Sequence, residues 1–148
     1  MKRDVFVKRD KKRNPEQNEI ALDAIETVLE DLRNEDSFDF LIVVEGRRDI
    51  ASLQNLGICT AILPCANQPL AEFCEKIAEM NKTVIILTDW DKKGGILASK
   101  LAAQFKNLDV PCNTEFREKL LFYSKREIKD VESLHTYVTK LRESDKRF

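Results

Sequence analysis

Glycine and proline are scarce in this chain, four of each in 148 residues. That excludes collagen-like and low-complexity architectures. Histidine occurs once, as His135, and the four cysteines, Cys59, Cys65, Cys74 and Cys112, form no CxxC pair. A structural zinc site is therefore not expected. Cys59 and Cys74 fall on apolar periodic segments, so buried free thiols in a reducing compartment are expected. No apolar run reaches the roughly 20 residues of a membrane helix, and the first residues lack the apolar stretch of a secretory leader. The expectation is a cytoplasmic protein with no membrane partner. A dominant charge is also missing: 25 Lys and Arg face 26 Asp and Glu, a net charge of -1. Any affinity for a polyanion must then come from local clusters.

What the chain does contain is an ordinary globular balance, 43% hydrophobic and 34% charged, at a length suited to one core. Charge is unevenly placed. Met1 to Arg13 carries Lys2, Arg3, Lys8, Arg9, Lys11, Lys12 and Arg13 against Asp4 and Asp10. Such an arm could touch phosphates or could be a solvated terminus, and both readings stand.

Asn14-Pro15-Glu16-Gln17 has the order of a helix start: a capping side chain, proline at the first helical position, and a glutamine placed to reach back. Ile20, Ala21, Ala24, Ile25, Val28, Leu29 and Leu32 then give one apolar stripe. Phe40 to Val44 is a short, continuous apolar run, as expected of a strand buried on both faces. A helix follows from Arg48 and is closed by Gly57. Cys59 to Leu63 reads as a second strand, and Pro69 opens a helix carrying Leu70, Phe73, Cys74, Ile77 and Met80. Thr83 to Thr88 is a third strand, followed by a helix from about Ile96 to Phe105. A fourth strand is placed near Val110 to Phe116, with helical segments around 117–123 and 131–141. Alternation of this kind predicts an α/β fold with a parallel sheet covered by helices.

Acidic residues cluster at two predicted strand ends. Glu45-Gly46 follows the first strand, and Asp89-Trp90-Asp91-Lys92-Lys93-Gly94-Gly95 follows the third. In open parallel sheets, ligands sit beyond the carboxyl ends of the strands, where strand order reverses. A strand order 2-1-3-4 would bring Glu45, Asp89 and Asp91 to one crevice. Carboxylates so gathered repel one another, and a hard divalent cation relieves the repulsion. Magnesium is the predicted cofactor, with manganese as a substitute. Arg47, Arg48, Lys92 and Lys93 surround the acids, Gly94 and Gly95 allow a sharp turn and close approach of a phosphate to backbone N–H groups, and Gly46 is counted with Gly94 among the expected phosphate-binding residues. Carboxylates for metal and cations for phosphate are what phosphoryl chemistry needs. Glu45 is then available for proton transfer. Trp90 reads as packing rather than a base platform, His135 as an ordinary half-buried or surface residue, and Tyr123 and Tyr137 lie too far from the acids in sequence to suggest a nucleophile.

At these residues the chain resembles the toprim domain shared by topoisomerases, bacterial primases, recombination-repair proteins and a ribonuclease that matures 5S ribosomal RNA. Val43-Val44-Glu45-Gly46-Arg47-Arg48-Asp49 looks like the family's strand-plus-glutamate motif, and Ile85 to Gly94 looks like its DxD motif. The resemblance implies a three-layer α/β/α domain with a four-stranded, mainly parallel sheet in order 2-1-3-4. It also implies Glu45 as general acid or base and Asp89 with Asp91 as the magnesium site. Lys129-Asp130-Val131-Glu132 is reminiscent of the RNA-maturing branch. Lysines and glycines follow Asp91 where topoisomerases commonly have further acids, which argues against topoisomerase chemistry. The expected organisation is an arm and amphipathic helix over residues 1–38, a toprim core over 39–116 and a helical extension over 117–148.

The expected function is a magnesium-dependent nuclease acting on nucleic acid, structured RNA before DNA. The alternative is a non-catalytic module that binds nucleic acid or a partner protein, and a homodimer stays open. A phospho-acceptor receiver ranks lower, because its strand-end aspartate usually has acidic partners at the end of the first strand, where this chain offers one glutamate.

Overall fold

The computed structural model describes residues 14–147, so the basic arm predicted for Met1 to Arg13 lies outside the described residues. Helix α1, Pro15–Arg33, starts on the capping residue read from sequence. Asn14 Oδ1 accepts from the Gln17 N–H at 2.8 Å, and Gln17 Oε1 accepts from the Asn14 N–H at 3.1 Å. Two otherwise orphaned donors are satisfied reciprocally. The stripe buries Ala21, Leu22, Ile25, Val28, Leu29 and Leu32. Ile20, predicted in the stripe, falls at its outer edge and is exposed.

The sheet comprises β1 (Phe40–Val44), β2 (Ala61–Pro64), β3 (Thr83–Ile86) and β4 (Cys112–Asn113). All pairings are parallel and the order is β2-β1-β3-β4, as the sequence predicted. Between strands come α2 (Arg47–Asn55), α3 (Leu70–Ala78) and α4 (Lys92–Asn107), and after β4 come α5 (Glu115–Ser124) and α6 (Leu134–Ser144). Alternate strand residues point to opposite faces. Leu41, Val43, Val84 and Ile86 pack with Phe73, Cys74 and Ile77 of α3 and Ala98, Leu101 and Phe105 of α4. Ile42, Val44, Ile85 and Leu87 pack on the other face with side chains of α1, α2, α5 and α6. The result is three layers, with apolar burial on both sides of every central strand.

Several boundaries differ from the sequence expectation: β3 ends at Ile86 rather than Thr88, and the last helix runs from Leu134 to Ser144 rather than over 131–141. β2 begins at Ala61 rather than Cys59, because Thr60 Oγ1 donates to the carbonyls of Leu32 and Glu35, at 3.3 and 2.7 Å, and so belongs to a tie to α1. Cys59 is consequently exposed, not a buried thiol, whereas Cys74 is buried as expected. β4 is only two residues long, because Asn113 Oδ1 accepts from the Glu115 N–H at 2.7 Å and turns the chain into α5. α4 begins at Lys92, four residues before the predicted start, because Asp91 caps it. Met80 lies past the end of α3 and is exposed. Gly57, at φ +89°, closes α2 in the left-handed conformation expected of it. Among the described residues no helix is long and apolar enough to cross a membrane.

Candidate functional site

β1 and β3 are neighbours although β2 lies between them in the chain, so strand order reverses at this pair and opens a crevice at their carboxyl ends. The Leu87 N–H donates to the Val43 carbonyl at 2.8 Å, carrying the pairing past the last assigned residue of β3. Two residues on, the Asp89 N–H donates to Glu45 Oε2 at 2.9 Å. The two acidic motifs are therefore joined directly. Asp91 accepts from the Gly94 N–H through Oδ1 at 2.7 Å and is the N-cap of α4. A carboxylate suits that position, where unpaired N–H groups and the helix dipole favour negative charge.

Residues from well beyond the DxD motif hold this loop in place. Val131 N–H donates to Asp89 Oδ1 at 3.0 Å, and Trp90 N–H donates to the Lys129 carbonyl at 2.7 Å. The Trp90 ring is buried, and its Nε1–H donates to Ser124 Oγ at 2.8 Å. Trp90 thus packs, as the sequence reading favoured. Arg117, in α5, donates from Nε to the Thr88 carbonyl at 3.0 Å and from Nη2 to the Asp89 carbonyl at 2.6 Å. Thr88 Oγ1 donates to the Gly94 carbonyl at 2.7 Å. Gly94 is needed for close approach: a Cβ there would overlap the Asp89 carbonyl, which is rigid backbone.

Electrostatically the crevice is crowded with acids. Burial is the largest reason that Asp89 is pushed up to about 7, with Asp49, Glu45 and Asp130 adding to it and the Val131 N–H opposing. Asp49, buried in the first turn of α2, is also raised, first by burial and then by Glu45, Asp130 and Glu132, against the Gly46 N–H that donates to its Oδ2 at 3.0 Å. Burial without a compensating charge disfavours the ionised form, and like charges do the same.

Among the described residues no three acidic, histidine or cysteine side chains are arranged to hold a metal ion. The donor chemistry nevertheless fits a hard cation. Glu45, Asp89 and Asp91 each place one oxygen on a backbone N–H, and the second oxygen of each carboxylate is the donor a cation would take. Oxygen-only ligands on crowded, partly desolvated carboxylates suit magnesium or manganese better than zinc.

The sequence-predicted residues divide into groups. Glu45 and Asp89 meet, and Asp91 stands exposed at the mouth of the crevice. Arg47, Arg48, Lys92 and Lys93 are exposed in the first turns of α2 and α4, which both start at this edge of the sheet. Arg48 pairs with Glu132 at 3.6 Å, both side chains being largely exposed. Such a pair holds little energy. At Gly46 the space where a side chain would stand is open, although its N–H is taken by Asp49. The N–H groups of Gly94 and Gly95 are engaged by Asp91 Oδ1 and the Asp91 carbonyl, at 2.7 and 3.0 Å, so they serve the cap and the helix. His135 is half-buried in α6, as expected.

Sequence reasoning gave no role to Asp49 or Val131, although it quoted both in motifs, and it missed Arg117. Asp49 was signalled by its place three residues after Gly46, the position from which a capping side chain reaches back. Arg117 and Val131 carried no local signal of a tie to Asp89, because only tertiary folding brings them there.

Comparisons with known proteins identify the family and the fold. The toprim domain family matches residues 40–119. A UPF0292 protein of Methanosarcina barkeri is 46% identical over 121 residues, covering 82% of this chain and 85% of that protein. A UPF0292 protein of Methanocaldococcus jannaschii is 35% identical over 100 residues, covering 67% and 78%. The solved structure of a putative protein from Aquifex aeolicus matches with a TM-score of 0.62 at 21% identity, covering 73% of this chain and 95% of that one. At that identity the likeness concerns fold alone.

Proposed function

The chain belongs to the toprim family, and from that premise we propose that its crevice is the centre of a magnesium-dependent phosphodiesterase acting on nucleic acid, structured RNA before DNA. The observation that carries this reading is the direct link between the two acidic motifs, Asp89 N–H to Glu45 Oε2, at the switch point of the sheet. Asp89 and Asp91 hold the metal, with Glu45 beside them. Bound there, magnesium supplies charge neutralisation at the non-bridging phosphate oxygens. Arg47, Arg48, Lys92 and Lys93 bind and orient the phosphodiester backbone from the two helix starts that flank the crevice. Glu45 moves the proton, taking it from the attacking water or giving it to the leaving oxygen. Trp90 takes no part, since its ring is buried against Ser124.

The test is cleavage of structured RNA and of DNA with magnesium by wild type, Glu45→Gln and Asp89→Asn. Both variants are expected to lose at least about a hundredfold in rate, the low end for a general acid or base. Undiminished cleavage by both would overturn the site. A second reading, a non-catalytic module that binds nucleic acid, is favoured by one observation: among the described residues no three acidic, histidine or cysteine side chains are arranged to hold a metal ion. Retained binding without cleavage by wild type would select it.

A further inference from the structure

Arg117 is a buried cation for which the proposed reaction has no use. Only 8% of its surface is exposed. Its Nε and Nη2 reach the carbonyls of two consecutive residues, Thr88 and Asp89, where the chain leaves β3. A Cβ on Gly95 would lie 3.8 Å from Nη2, so the guanidinium also rests against the first turn of α4. Both ends of the loop that presents Asp89 and Asp91 thus touch one rigid fork. Two carbonyls at fixed separation match a planar guanidinium, whereas a lysine ammonium would reach them as a single point. Removing the fork would strand two carbonyls in a poorly solvated place, which costs more than the bonds themselves contribute.

Resting on the metal-site reading above, we infer that Arg117 is a positioning residue for the metal-binding aspartates. Its fork clamps the backbone between β3 and α4, so that the Asp89 carboxylate stays on the Val131 N–H with its second oxygen toward the crevice. A merely structural arginine would stabilise the chain without governing the Asp89 carboxylate, and the two roles separate by experiment.

Arg117→Lys and Arg117→Met would be compared with wild type by two readouts. Hydrogen exchange of the Val131 amide in metal-free protein reports the Asp89 carboxylate directly, because that amide donates to it. Manganese titration followed by electron paramagnetic resonance reports the affinity of the crevice. The expected result is faster exchange at Val131 in both variants with Leu29 in α1 unchanged, and manganese affinity lower by about 10- to 100-fold, Arg117→Lys lying between Arg117→Met and wild type. Wild-type exchange at Val131 in Arg117→Lys would overturn the inference, and this variant decides the matter even where Arg117→Met does not fold. Wild-type protein that binds no manganese, with Val131 exchange still responding to Arg117→Lys, would overturn the metal reading while the clamp on Asp89 stands.

Discussion

The two faces of the sheet are built differently. On the face covered by α3 and α4, the buried contacts are apolar, from Phe73, Cys74 and Ile77 through Leu101 and Phe105. On the face covered by α1, α2, α5 and α6, apolar packing is interrupted by directed polar ties: Trp90 to Ser124, Arg117 to two carbonyls, the His135 N–H to Ser52 Oγ at 3.1 Å. Apolar burial is non-directional and supplies stability. Hydrogen bonds in a buried setting contribute little net energy but fix geometry, and their loss leaves unpaired groups. The difference teaches that apolar burial holds the sheet on both faces, while one face also carries the polar ties that aim the loop bearing the acids.

The largest effect that could break this division is a deletion on the apolar face. Phe105→Ala is expected to cost about 3–5 kcal/mol, seen as a lower urea midpoint, while the protein that remains folded binds manganese as wild type does. A parallel loss of affinity would show that the apolar face also aims the site. Gly94→Ala comes next. Its Cβ must displace the Asp89 carbonyl, and overpacking of that kind costs about 1–3 kcal/mol. Here manganese affinity should fall with stability, because the displaced group is bonded to Arg117 and adjoins the Asp89 carboxylate. Unaltered affinity would mean that the loop tolerates rearrangement and that the polar face does not aim it.

The smallest effect sharpens the comparison through pH. Asp89 is raised from 3.8 to about 7, chiefly by burial. Over that interval the folded chain keeps a proton that the unfolded chain has released. Its contribution to stability is full below 3.8 and is lost as pH rises through about 7. Metal-free protein should therefore lose stability between about pH 4 and about pH 7, relative to Asp89→Asn measured under the same conditions. Asp89 is only partly buried, so water screens the effect and keeps it modest. Parallel pH profiles for the two proteins would refute the assignment to Asp89.

The strand order and the meeting of Glu45 with Asp89 were legible because both rest on local signals. Short apolar runs mark buried strands, and acids just after them fall at the carboxyl edge. The length of β4 was not legible, because Asn113 looks like a polar strand residue until its side chain is seen capping α5. Nor was the start of α4: Gly94 and Gly95 suggested a loop, yet Asp91 caps the helix ahead of them. Arg117 and Val131 could not be found at all from spacing, since each meets Asp89 across a long stretch of chain. Val131 even lies outside the segment that matches the toprim family. Family motifs locate the acids, and residues beyond the motif settle how they are held.

The bond from the Val131 N–H to Asp89 has a consequence for the order in which the protein is made. During synthesis the chain emerges amino-terminal part first, and domains fold as units. Among the described residues every strand ends by Asn113, but α5 and α6, which cover one face of the sheet, emerge only around or after the Lys129 to Val131 segment. Until that segment emerges, Trp90 lacks the Lys129 carbonyl and Asp89 lacks the Val131 N–H. The acidic crevice and the sheet face beside it thus both need the last part of the domain to be made, so a chain cut before Lys129 would lack the finished site as well as part of its scaffold.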